Sequence, residues 1–586
     1  MSPEDSVWPG GAVRRRDVLR LAFGASAVLL VEACGPSPSS GGPVPTAGAP
    51  GPVSAAQPTT AKPAAAQPTS AAAPTPAPAA QPTQAAASQP TQAAAGQGQA
   101  RRGGTLRVGL DVDADTLDPR LSKNTSGFRV KELAFNGLVA INPDYSPVPD
   151  LAEKWDNPDD KTWVFHLRQG VKFHDGSDLT ADDVKYTYES VLDPSFNSPA
   201  RAFYLSVDKV DATDKNTVTF TLKSPFAPFL SYMDLGIVPR AAGARSDFGN
   251  KPIGTGPFKV DAWNTGDSID LSAFDNFAGG RPNLDRVRLK VVPDNSARVV
   301  ALESGDLDFV QSPLSPQDVS REQSGGKLKV DRTPAAGYTY INLNTADPIL
   351  SDKKVRQALS HLVNKQQIID TIYKGIGKPA NGPIVPGMWA YSADIPSYDY
   401  SPDKARQLLD DAGWKAGPDG VRTKDGQKLS LVVRTHSEDP DRKQLIQVLQ
   451  SEFQNVGIDA STNTVEFPAF FQDVQDGKYQ VGVIGWLNLS DPDRATFRQF
   501  TIDGSANYGK YKNEQVDSLL KEARATLDQT RAKSLYTDAV KQIVDDAPYI
   551  FVQYQEYIAM YTPKLQGYVI NPVANWLSFK TAYLAS

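Results

Sequence analysis

From Gly103 to its end the chain switches repeatedly between two hydrophobic periods. "GTLRVGLDV" is an apolar, β-branched run that reads as an opening strand. "TWVFHLRQGVKF" and "NTVTFTLK" alternate apolar and polar residues with period two, the mark of half-buried strands. Between them "TADDVKYTYESVL" spaces its apolar positions for a helix, with Thr180 placed to cap it and acids in its first turn. Further on, "KKVRQALSHLVNKQQIIDTIY", "PDKARQLLDDAG", "RKQLIQVLQSEFQNVG" and "EQVDSLLKEARATLD" each predict an amphipathic helix. Gly413 and Gly457 stand where helix C-caps are expected. The strands "KLSLVVRT" and "YQVGVIGW" fall between these helices. The pattern is that of a mixed α/β body without an internal repeat.

The pattern is different upstream. Arg14, Arg15, Arg16 and Arg20 precede an uncharged, mostly apolar run, Leu21–Val31. That run is far short of the roughly 20 residues needed to cross a bilayer as a helix, so it predicts a secretory signal peptide. "RRRDVLR" resembles the twin-arginine export motif. Val31-Glu32-Ala33-Cys34-Gly35 resembles the bacterial lipobox, although Glu32 is an atypical occupant. The resemblance implies that residues 1–34 are a signal and that Cys34, the only cysteine in the chain, is lipidated and anchors it to a membrane. Residues 35–100 are Pro, Ala, Gln, Ser, Thr and Gly, apart from Val44, Val53 and Lys62, the single charge, and "AAQPT" recurs at Ala55, Ala65 and Ala79. Such a segment buries too little apolar surface to offset its ordering entropy. It predicts a disordered tether with a reach capped at about 200 Å, taking ~3.1 Å per residue.

Composition narrows the chemistry. A formal net charge of −6 gives no sign of a nucleic-acid-binding surface. One cysteine excludes an internal disulfide and a thiolate metal cage, and four histidines are a poor supply for metal or His-based catalysis. "DVDADTLDP" starts like a calcium loop, but Thr116 replaces the required Gly and Ser122 the bidentate Glu. His166 and His174 lack zinc-protease spacing, and no Walker loop, nucleophile elbow or Rossmann fingerprint occurs. "GTGPF" at Gly254 reads as a tight turn entering a strand. No cofactor, no metal and no enzyme activity are expected.

The segment "LAEKWDNPDDKTWVFHLRQGVKFHDGSDLTADDVKYTYESVL", Leu151 to Leu192, closely resembles the signature of family 5 extracytoplasmic solute-binding proteins, the peptide- and nickel-type receptors of ABC importers. "TLDP" at Thr116, "PIGTGPFKV" at Pro252, "SDKKVRQALSHLVNKQQII" at Ser351 and "NYGKYKNEQVDSLL" at Asn507 continue the match in order. The resemblance implies an α/β, bilobed, periplasmic-binding-protein-like fold of type II with an additional third domain. Its lobes would be discontinuous and joined by a hinge. Lobe I would comprise 101–138, 234–343 and 561–586, the additional domain 139–233 and lobe II 344–560. The implied partners are a peptide or other small solute, and ABC permease and ATPase subunits. The receptor would be an exported monomer.

Site residues are carried over in the same way. "GWLNLSDPDRATF" supplies the Gly485-Trp486 pair that ends a second-lobe strand in peptide-binding relatives, with Leu487 and Asn488 beside it. Where those relatives place an amine-binding aspartate this chain has Leu489. Asp491 either takes over that role or only caps the next helix, since Pro492 follows it. Lys123 falls where some oligopeptide receptors have a Glu, so it favours an anionic group on the ligand, with Asn124 and Thr125 adjacent. Tyr338, Tyr340 and Asn342 of "GYTYINLNT" are expected on a strand crossing between lobes, lining the cleft or packing in the core. Trp389 and Tyr391 of "PGMWAYS" are expected in a loop facing ligand or packed on the surface. The ligand is expected to be a peptide. The alternatives are a sugar, an opine-like compound or a metal chelate, or a surface sensor that binds ligand without transport.

Overall fold

A computed structural model describes residues 102–325 and 327–585. The expected signal peptide, Cys34 and the tether lie outside the described residues.

One sheet of eleven strands runs through the body. Its centre on one side is the opening strand Thr105–Leu110, which pairs in parallel with Arg286–Val291 and Phe309–Gln311. Leu106 and Val108 of this strand are fully buried, while Arg107 between them stays partly exposed and pairs with Asp308. On the other side Ser430–His436 and Asp459–Val465 pair in parallel, joined by the helix Pro440–Gln454. Ser430–His436 also pairs in parallel with Val481–Trp486. Two long antiparallel strands, Lys329–Leu343 and Tyr549–Tyr561, cross from one side to the other and make the two lobes one sheet. Their register shifts between Pro334 and Tyr338. A proline has no ladder donor to offer and is tolerated at such an irregularity.

The crossing comes earlier than the lobe boundaries read from the sequence. Tyr338–Leu343 already pairs with Val481–Trp486, and its side chains lie in the second lobe's cores. Ala559–Tyr561 pairs with Phe309–Gln311 of the first lobe.

A separate four-stranded sheet is ordered Ala152–Asp159, Thr162–Leu167, Thr217–Leu222, Val207–Asp214. The two strands predicted from period-two alternation bury every second residue, as expected. Their inward Phe165 and Phe220 meet Phe229 and, from the helix Ala181–Leu192, Tyr188. The start of that helix is fastened by Asp183, whose carboxylate accepts from the Thr180 N–H and hydroxyl. Gly413 and Gly457 both follow helices with φ of +88°, consistent with C-cap roles.

Two helix expectations need correcting. The helix read across 353–373 is two, Lys353–Ser360 and Lys365–Thr371. The His361 carbonyl accepts from Ser401 N–H and its ring bonds the Asp399 carbonyl, so the helix ends there. Asn364 restarts it by accepting from Gln367 N–H. The helix expected through Asp528 stops at Ala525, because Asp528 caps a further helix, Gln529–Asp546.

Candidate functional site

Between the lobes lies a cleft of about 870 Å³, at the upper end of the ~300–1,000 Å³ typical of small-ligand sites. The first lobe contributes the start of the helix Thr125–Ala134, the second lobe the segments around Asp441 and Trp486, and the crossing strand the stretch Gln553–Ile558. The second-lobe segments follow the C-terminal ends of parallel strands, where open α/β sheets present their ligand sites.

Trp486 ends its strand opposite Tyr338. Its ring lies nearly parallel to Tyr340 at 6.3 Å and to Tyr508 at 6.1 Å, and its indole N–H has no hydrogen-bond partner among the described residues. Two glycines allow this packing. A Cβ at Gly337 would come 2.3 Å from the Trp486 carbonyl oxygen, and one at Gly485 would come 2.6 Å from Arg442 Nη2. Gly485 thus makes room for Arg442 rather than lining the cleft itself. Leu487 is exposed at the rim and Asn488, at φ +58°, accepts from the Tyr557 hydroxyl.

Most charges around the cleft are paired within the protein. Arg129 pairs with Glu132 at 3.2 Å, Lys131 with Asp234 at 3.1 Å, and Arg332 with Glu556 at 2.5 Å. Arg442 is shared between Asp439 and His436. Burial holds the Glu132 carboxyl above its usual range despite Arg129. Asp441 and Asp111 are the exceptions among the carboxylates: no hydrogen bond or ion pair engages either side chain among the described residues, and burial with the Asp439 charge pushes Asp441 up to about 6.

The residues singled out from sequence divide in two. Lys123, Thr125, Trp486, Leu487 and Asn488 line this one cleft. Asn124 lies outside the lining and caps the first-lobe helix, accepting from Gly127 N–H. Tyr338, Tyr340 and Asn342 are fully buried in the second lobe, Tyr340 stacked on Tyr549 at 4.2 Å. Trp389 and Tyr391 pack on that lobe's core, Trp389 edge-on to Tyr536 at 5.8 Å. Asp439, Asp441, Arg442, Arg494 and Arg498 line the cleft and escaped sequence reading. "HSEDPDRK", a dense charge run leaving a strand end with Pro440 at the helix start, was the available signal.

Asp491 is also outside the lining. It is buried and accepts from Asp493 N–H, capping the helix Pro492–Phe500. Burial, reinforced by the Asp493 charge, pushes it up to about 7. A carboxyl raised above its unfolded value costs nothing below about pH 4; the cost grows as pH rises and is complete above the folded pKa. Asn caps as well and carries no charge. Asp491→Asn therefore gains stability relative to the parent by about 2–3 kcal/mol between pH 5 and pH 8. Denaturation at the two pH values checks this; a pH-independent difference would contradict it.

The model of bacterial extracellular solute-binding proteins, family 5, matches residues 146–509. The chain belongs to this family. The oligopeptide-binding protein AppA of Bacillus subtilis (strain 168) is 31% identical over 506 residues, covering 83% of this chain and 93% of the relative. The solved structure of AppA from Bacillus subtilis in complex with a nonapeptide superposes with a TM-score of 0.72 at 29% identity, covering 83% of this chain and 100% of that one. NikZ from Campylobacter jejuni, in complex with Ni(L-His), gives a TM-score of 0.73 at 28% identity, covering 82% and 99%. The family places this chain among extracytoplasmic binding proteins rather than enzymes, and the bilobed fold expected from the sequence is the fold of these structures.

Proposed function

We infer that this protein is the lipid-anchored receptor of an ABC importer, capturing short peptides in the interlobe cleft and delivering them to a permease. The observation that carries this reading is a cleft of about 870 Å³ whose residual charge is of both signs. Asp441 is an unpaired carboxylate, and Lys123, Arg494 and Arg498 are cations without a carboxylate contact among the described residues. A zwitterion satisfies both. The AppA complex with a nonapeptide supports the same class. Closure of the lobes about the crossing strands would enclose the ligand and create the surface that a permease reads. Separate cores support the division into lobe I, an additional domain at 139–233 and lobe II, with the crossing at Pro334–Tyr338.

Native mass spectrometry of residues 101–586, purified gently after expression in rich medium and then exposed to tri- to pentapeptide libraries, tests the reading. Retained masses matching peptides are expected; a single non-peptide mass would overturn it. That second outcome is the alternative favoured by Leu489 and Lys123, a non-peptide solute such as the nickel complex carried by NikZ.

The anchor is tested separately. Cys34→Ser moves the protein from the membrane to the soluble fraction on cell fractionation, because two acyl chains are the difference between stable and negligible bilayer affinity. A variant that still sediments with membranes would remove lipidation from the proposal.

A further inference from the structure

We propose that Arg494, seconded by Arg498, forms an anion-binding pole of the cleft that takes the terminal carboxylate of the bound ligand. This deepens the peptide reading and rests on it.

The Arg494 guanidinium lies over the Tyr232 ring at 4.1 Å and the Phe203 ring at 5.2 Å, both contributed by the segment 139–233. Arg498 lies over the same Phe203 ring at 5.7 Å. A guanidinium carries five N–H donors. Arg494 spends one, at 3.3 Å, on the Ser231 carbonyl, and its buried Nε–H has no partner among the described residues. The carboxylates nearby are committed elsewhere: Asp234 to Lys131, Asp491 to the Asp493 N–H, and Asp493 to Arg524 through two 2.7 Å bonds. Arg498 donates from Nε to the Ser505 hydroxyl and makes no ion pair among the described residues.

The Asp234 and Asp491 charges favour this buried cation without touching it, and the aromatic faces return only part of the cost of desolvating it. They do something else: they hold the guanidinium plane fixed while its edge stays free. A planar edge of parallel N–H donors is matched by a carboxylate, which it binds through two bonds. Both arginines line the cleft, on the helix Pro492–Phe500 that begins six residues after Trp486. The Gln499 amide bonds the Arg494 carbonyl and so fixes that turn of the helix. An anion held here sits where the second lobe meets Phe203 and Tyr232, so it would also tie the two bodies together in the liganded state.

The test compares two tripeptide-to-pentapeptide libraries, one with free C-terminal carboxylates and one C-terminally amidated, by native mass spectrometry and thermal shift. The wild-type protein is expected to retain free acids at least tenfold better than amides. Arg494→Gln should bring that ratio to about one, with Arg494→Lys and Arg498→Gln in between; a purely structural role for Arg494 would lower both affinities and leave the ratio. Should Arg494→Gln fail to fold, the wild-type ratio and Arg498→Gln still decide. Equal retention of acids and amides by the wild type overturns the inference and leaves the peptide reading standing. Retention of neither library overturns the peptide reading. Short aliphatic dicarboxylates then decide the inference: binding lost in Arg494→Gln upholds it, and no binding overturns it.

Discussion

Asp493→Ala should cost about 3–5 kcal/mol of stability, the range for removing one partner of a buried ion pair. Asp493 is 1% exposed and receives both donors of Arg524 at 2.7 Å and the Tyr232 hydroxyl at 3.0 Å. It thereby joins three elements remote in sequence: the helix Pro492–Phe500, the helix Glu514–Ala525 and the turn Ala227–Tyr232. Alanine leaves a guanidinium wedged on the Phe497 ring, 3.1 Å from its centroid, with no counter-charge, and leaves the tyrosine hydroxyl unbonded. Calorimetry measures the loss, and the double variant with Arg524→Ala tells the pair from its surroundings. The double variant should lose markedly less than the two single losses added together, since removing Arg524 also removes the uncompensated charge. Strict additivity would mean that the ion pair is not what holds these elements.

Trp486→Ala should weaken ligand binding more than tenfold and also destabilise the second lobe, by less than the roughly 3–5 kcal/mol of a fully buried Trp truncation because the ring is only partly buried. The two effects have one origin. The ring is at once a wall of the cleft and a member of the stack with Tyr340 and Tyr508. Trp486→Phe keeps an aromatic face with a smaller cavity and separates the effects: stability recovers more than affinity does. Titration calorimetry with the retained ligand, beside thermal melts of each variant, checks this. Unchanged affinity in Trp486→Ala would remove Trp486 from the site.

Lys123 and Trp486 were legible because they belong to a sequence pattern that covers the whole folded body, and both line the cleft. Tyr338, Tyr340 and Asn342 show where that reading stops. Period-two alternation says that two faces of a strand differ, not which face meets a cleft, and in this sheet both faces are covered, so all three are buried. The helix break at His361 has a similar cause: the partners that end it, Asp399 and Ser401, are distant in sequence. Asp441 and Arg494 look like ordinary solvated charges along the chain. Only the fold shows that no counter-charge touches either among the described residues: Asp441 makes no hydrogen bond or ion pair, and Arg494 bonds the Ser231 carbonyl rather than a carboxylate.

The amino-acid sequence by itself determined the family, the alternating strands, the capped helices and the expectation of an exported, tethered body. These follow from local spacing, propensity and short motifs, which act over a few residues. Tertiary structure decided which charges stay unpaired, where the crossing strands pass from one lobe to the other, and which aromatic rings face the cleft rather than the core. Those depend on what each side chain meets from segments a hundred or more residues away. Desolvation and pairing energies are set by that encounter, not by the residue's own neighbours in the chain.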